Sequence, residues 1–174
     1  CYHAYDDLGC ERNVSYGSYK MLVDWTKVSP RVWVWSYAMP FDDLHPYPML
    51  RCLSRNFKRM RDAGVQGQFV QAEQGRWTQK GGLIDLHSYL FAKLLWDPDY
   101  DVDKGIREFS RALYGAAAPY IVSYVEMVND SKTYGVRDSD FHPDFGGKTP
   151  VTTEKLREID ELFDKAEQAV AADP

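Results

Sequence analysis

In the stretch "AGVQGQFVQAEQGRW", residues 63–77, the run from Val65 to Glu73 sets three glutamines and a glutamate among apolar residues and glycine. The run is short and punctuated by Gly64, Gly67 and Gly75, a pattern that reads as a buried strand bounded by turns. Gln66, Gln68 and Gln71 would each need hydrogen-bond partners if buried. Polar groups inside a strand fit a wet interior or a ligand. Glu73 closes the run, and a carboxylate there can accept hydrogen bonds from hydroxyl groups, or act as acid or base if its pKa is raised. The bland alternative is a solvated glutamate at a strand end. Trp77 follows in a glycine-flanked loop, where an indole can stack on a flat ligand or pack on its own loop.

A second group of candidates lies near the start of the chain, where His3, Asp6 and Asp7 share one polar stretch. Neighbouring acids point to an acid pair for hydrolysis or to a metal site. Asp6 and Asp7 are adjacent, however, so their side chains diverge, and His45 and His87 are far away in sequence. No metal site and no cofactor are therefore expected. Asp42, Asp43 and His45 form a further polar group, read as solvated turn residues.

The totals narrow the classes open to these residues. The chain has 174 residues, of which 44% are hydrophobic and 27% charged, so it is globular and can bury a sizeable core. Its net charge of −5 and pI near 5.4 argue against a nucleic-acid-binding surface. No apolar run approaches the roughly 20 residues of a membrane span. Aromatic residues reach 14%, with 12 Tyr and 5 Trp, enough to fill a core and leave stacking surfaces for sugars or other flat ligands. Of three cysteines, Cys1 and Cys10 could bridge in a secreted protein and Cys52 falls in a helical pattern as core; no CxxC spacing marks a structural zinc.

These candidates must be held by the elements around them. Residues 1–13 read as an irregular loop. A helix is expected over about Ser15–Lys27, with Tyr19, Leu22, Val23 and Trp25 apolar and Ser29-Pro30 as its stop. "RVWVWSYAM" is the clearest strand, with Val32 and Val34 on one face and Trp33, Trp35 and Tyr37 on the other. Leu50, Leu53, Phe57 and Met60 mark an amphipathic helix ended by Gly64. After the glutamine-rich strand come helices over about 83–96, on Leu86, Leu90 and Leu94, and over 103–114, on Ile106, Phe109 and Leu113. Two more follow, about 117–131 and 152–171, the last amphipathic through Leu156, Ile159, Phe163 and Val170 and expected to dock on the domain.

Strand, helix, strand with a long crossover implies two parallel strands, at about 31–38 and 65–73, joined right-handedly. A parallel pair needs both faces covered, and two strands cannot make such a sheet alone. Either further strands precede Cys1 in a longer polypeptide or another chain completes the sheet; the first is the favoured expectation, and the chain by itself is expected to be marginal or to aggregate.

"CYHAYDDLGCERN", "VWVWSY", "HPYPML", "GVQGQFVQ" and "LHSYLFAKLLWDPDYDVDKGIREFSRALYGAAAPYI" together resemble the bacterial family called domain of unknown function 4838, over about residues 1–130. The last motif is the most specific. That resemblance implies an α/β fold, the C-terminal part of a glycosidase-like (β/α)8 barrel related to hexosaminidases and alpha-glucuronidases. "VWVWSYAM" and "VQGQFVQAE" would be its last two strands, with barrel over residues 1–98 and a helical region over 99–174. It also implies polysaccharide use, a carbohydrate ligand, and a secreted, periplasmic or cell-surface location. Sites in such barrels form at the C-terminal ends of strands. By that rule Tyr37, Glu73 and Trp77 would contact sugar, with His3, Asp6 and Trp35 as further candidates. The aromatic face of the first strand would point inward, and the catalytic carboxylates would lie on earlier strands. His87 and Lys93, on the helix after Glu73, read as structural. The alternative reading is a non-catalytic carbohydrate-binding or scaffold domain.

Overall fold

The computed structural model describes residues 2–3, 8–9, 14–15, 17–37, 49–71, 83–129 and 152–171. The chain divides into two compact units, Cys1–Val102 and Asp103–Pro174. The first unit alternates strand and helix: β1 (Tyr2–His3), α1 (Ser18–Val28), β2 (Trp33–Tyr37), α2 (Leu50–Asp62), β3 (Gly67–Gln71) and α3 (Ile84–Trp96). The three strands form one sheet in the order β1-β2-β3, all parallel. The expected parallel pair is present, and one expectation is corrected: Tyr2–His3 is a strand, not part of a loop. Two residues are too few to show a period of two, so only pairing with Ser36 and Tyr37 makes them one.

The first unit's core lies along α2 and α3. Leu50, Leu53, Phe57 and Met60 are all buried, as their spacing predicts, and Cys52 is buried beside them with its Sγ–H donating to Met49 O at 3.2 Å. Leu86, Leu90 and Leu94 supply the matching stripe on α3, and the Phe57 and Phe91 rings meet with centroids 6.0 Å apart. The α2 terminus shows why Gly64 stands where it does. Its φ is +89°, Val65 N–H donates to Met60 O (3.0 Å) and Gly64 N–H donates to Arg61 O (2.9 Å). That is a Schellman cap, which needs a left-handed residue just past the helix. The turn after α3 is tied back by Arg61 Nη1 to Asp99 Oδ2 at 2.6 Å, and Lys93 lies over the Tyr89 and Tyr100 rings. One polar residue of α2 is also fully buried: Asn56 Oδ1 accepts from Leu8 N–H at 3.0 Å, pinning the segment after β1 onto the core.

The sheet's two faces differ sharply. Ser36 is buried and Val34 half-buried on one face, while Trp33, Trp35 and Phe69 are 72%, 49% and 54% exposed on the other. The apolar period of β2 therefore marks two faces, but the aromatic one is open within this chain. Helix α1 buries none of its residues; Trp25 is exposed along with Met21 and Val28, one turn apart.

In the second unit, α4 (Val102–Tyr114) leads through a 3-10 turn at Gly115–Ala117 into α5 (Ala118–Val128), and α6 (Thr153–Val170) packs against α5 and the turn. Small residues at 116–118 permit the close approach. Tyr124 and Phe163 meet at 4.9 Å, and Thr152 Oγ1 caps α6 by accepting from Lys155 N–H. Two apolar stripes shift from expectation. On α4 the buried line is Val102, Ile106 and Ser110 while Leu113 is exposed, and on α6 the buried residue is Ala166 while Leu156 is exposed. Spacing defines a stripe's width; the neighbour's position decides which edge of it is covered. Among the described residues, no helix is long and apolar enough to cross a membrane.

Two predictions follow from this packing. The exposed Trp25, Trp33, Trp35 and Phe69 should make the 174-residue chain self-associate at micromolar concentration; a monomer by light scattering across that range would refute it. His87 is buried, its Nε2 has no partner among the described residues, and burial lowers its pKa from 6.5 to about 4. Between those two values the unfolded chain takes up a proton that the folded chain refuses. Stability is thus full above pH 6.5 and falls as pH drops toward 4, by about 1.4 kcal/mol per pH unit from this residue. Thermal melts from pH 7 to 4.5 should fall less steeply for His87→Leu than for wild type; parallel curves would show that His87 is free to ionise.

Candidate functional site

Parallel pairing brings the C-terminal ends of all three strands to one edge of the sheet. The register sets His3 opposite Tyr37, and Tyr37 opposite Gln71, so these three positions form one row across the strand ends. The row below it pairs Trp35 with Phe69, and the next pairs Trp33 with Gly67. Gln66 N–H donates to Val32 O at 2.9 Å, extending the ladder at the strand starts. Pleating puts Trp33, Trp35, Phe69 and Gln71 on a single face.

Their side chains interlock. Trp35 meets Phe69 edge-to-face, with centroids 5.0 Å apart and planes at 80°. Trp35 Nε1–H donates to Gln71 Oε1 at 3.2 Å. An indole N–H can only donate, so the bond also fixes which way the Gln71 amide faces and leaves its NH2 group directed elsewhere. The Trp33 ring lies across Gly67: a Cβ built there would sit 2.6 Å from Trp33 Cε3 and Cζ3. Glycine is needed at this point because an aromatic ring occupies the side-chain space. The platform is aromatic and neutral, since none of its four side chains ionises in the physiological range, and the Gln71 amide, oriented by Trp35, adds N–H donors to the indole N–H of Trp33.

The glutamines that marked this strand find three different solutions. Gln71 holds Trp35, Gln66 Nε2 donates to Gly64 O at 3.3 Å, and the buried Gln68 Oε1 has no partner among the described residues. Of the residues expected to form a site, Trp35 is in the platform, and Tyr37 and His3 are neighbours in the strand-end row by backbone register. Asp6, Glu73 and Trp77 lie outside the described residues, as do Cys1, Cys10, Asp42, Asp43 and His45. Three platform members were not singled out by sequence as contact residues: Trp33, Phe69 and Gln71. Their signal was the alternation of β2 together with a β3 whose polar and apolar residues fall on both faces; the choice of face needed the register. Among the described residues, no group of three or more His, Cys, Asp or Glu is arranged to hold a metal ion.

A cleft of about 370 Å³ lies at the opposite end of β2, walled by Leu8, Met21, Leu22, Trp25, Val32 and Trp33 among others. Its lining is mainly apolar, with Ser18, Ser29 and Arg31 as polar members, and it shares Trp33 with the platform.

A parallel α/β sheet with its aromatic strand-end face open, followed by a helical unit, defines the class of this protein. The chain belongs to the family described as Domain of unknown function (DUF4838), which matches residues 8–126. No curated protein and no solved structure matches it.

The ring-over-glycine contact generates a prediction. Gly67→Ala should displace the Trp33 ring and cost about 1–3 kcal/mol, the range for overpacking. In a Trp33→Ala background the same change should cost much less. A double-mutant cycle read by thermal melts and tryptophan fluorescence checks this; additive effects would show that the two residues do not interact.

Proposed function

We propose that this chain is the C-terminal part of a carbohydrate-active, glycoside hydrolase-like protein of (β/α)8 type, and that its strand-end face contacts a glycan. The observation that carries this reading is the open platform of Trp33, Trp35 and Phe69 ending in the Gln71 amide. A pyranose ring has a flat C–H face and a rim of hydroxyls. Indole and phenyl rings suit the first, and a fixed amide with free donors suits the second. Tyr37 and His3 stand in the adjoining row, and Glu73, two residues past Gln71, would add a carboxylate that accepts from sugar hydroxyls. Asp6 and Trp77 are further contacts in this reading.

A carboxylate bound to a hydroxyl makes a charge-assisted hydrogen bond, and losing one such partner costs on the order of 1.5–3 kcal/mol. A second reading, a non-catalytic carbohydrate-binding or scaffold domain, draws support from the platform's lack of any ionisable group among its described side chains. Stacking and neutral donors bind without supplying an acid or a base.

One experiment addresses both. Full-length wild type, Trp35→Ala and Glu73→Gln are titrated against a panel of oligosaccharides, with turnover followed in parallel. Both variants should weaken glycan binding about tenfold or more. Glu73→Gln, which keeps the shape of the side chain, should leave the melting temperature nearly unchanged. Binding that is lost in the variants without turnover in wild type selects the non-catalytic reading. Equal affinity and turnover in all three proteins would remove the strand-end face as a glycan site.

A further inference from the structure

The second unit carries a groove of different chemistry. It is about 460 Å³ and is lined by Arg107, Arg111, Gly115, Ala116, Pro119 and Val122, among others. Arg107 and Arg111 are one turn apart on α4, so their guanidinium groups project from the same helix face. The other walls come from the 3-10 turn and the first turns of α5, built from small or apolar side chains. Gly115, with φ +51°, turns the chain sharply here and adds no side chain to fill the space.

Helix stability does not account for this pair. Like charges at i, i+4 destabilise a helix. Nor are the two arginines engaged with acidic neighbours. Glu108 pairs with Lys104 at 3.6 Å, Asp103 makes no ion pair with Arg107 one turn on, and neither guanidinium has a partner among the described residues. The helix dipole favours a cation at Arg111, in the last turn of α4, but does not reach Arg107. In a chain of net charge −5, two arginines unpaired among the described residues line a groove whose described lining holds no acidic residue.

We propose that the Arg107–Arg111 groove is an oxyanion-binding site, taking a carboxylate, sulfate or phosphate group whose apolar body rests on Ala116, Pro119 and Val122. Two guanidinium forks can each offer paired N–H donors to a planar or tetrahedral oxyanion, a geometry that lysine does not reproduce. The site is independent of the glycan reading, because all its residues lie in the second unit and none belongs to the strand-end platform.

The test is calorimetric titration of the full chain with inorganic sulfate, inorganic phosphate and acetate in separate arms, against chloride at matched ionic strength. At least one arm should show saturable binding of one ion per chain. The arm that saturates most tightly separates tetrahedral from planar anions. Arg107→Gln and Arg111→Gln should each weaken binding at least fivefold, and the double variant should abolish it. Arg111→Lys, which retains the charge and loses the fork, should also weaken it, whereas a diffuse charge effect would leave it unchanged. Both side chains are exposed, so melting temperatures should stay close to wild type, and a melt of each variant verifies folding. Failure of all three anions to saturate the wild type, or undiminished binding in the folded double variant, overturns the proposal.

Discussion

The contact on which the strand-end face depends is that of the Trp33 ring with Gly67. Parallel strands pair through evenly spaced, slanted hydrogen bonds, and a slip of one residue would turn every side chain to the other face. Gly67 is the one residue of β3 without a Cβ, and it is the residue in register with Trp33. A slipped register would drive the indole into a side chain. With Trp33 seated, Trp35 falls beside Phe69 and Tyr37 beside Gln71, and Trp35 then reaches Gln71 to fix its amide. An aromatic platform with one oriented amide thus depends on a single missing methyl group.

A second constraint acts from the core outward. Asn56 is fully buried on α2, and a buried amide without partners would be costly. Its bond to the Leu8 backbone satisfies part of that need and holds the segment that follows β1. The strand-end row thereby gains a third member, although β1 itself is only two residues long. The Schellman cap at Gly64 plays a related part for β3, because it ends α2 and releases the chain into the sheet within three residues.

The two units express different strategies. In the first, one sheet face is covered and the other presents aromatic area to its surroundings. In the second, helices close on one another through small residues and the Tyr124–Phe163 contact, and the polar interest lies in a groove beside a turn. The strand-end surface is neutral and stacking, while the groove is cationic. Their ligand preferences should differ accordingly.

Local pattern by itself determined much of this protein. The spacing of Leu50, Leu53, Phe57 and Met60 specified a buried helix face, Gly64 its end, and the alternation of "WVWSY" a two-faced strand, because these depend on the 3.6- and 2-residue periods of the backbone alone. The motifs within residues 8–126 carried the family. Tertiary structure decided what period cannot encode. Tyr2–His3 became a strand only through a partner 34 residues away in register. Gln71 became a platform residue through Trp35, and Asn56 became core through Leu8. The edge of α4 that is buried, Ser110 rather than Leu113, follows from where its neighbours sit. Each of these is a relation between residues distant in the chain, and a periodic signal within one segment has no information about the segment it will meet.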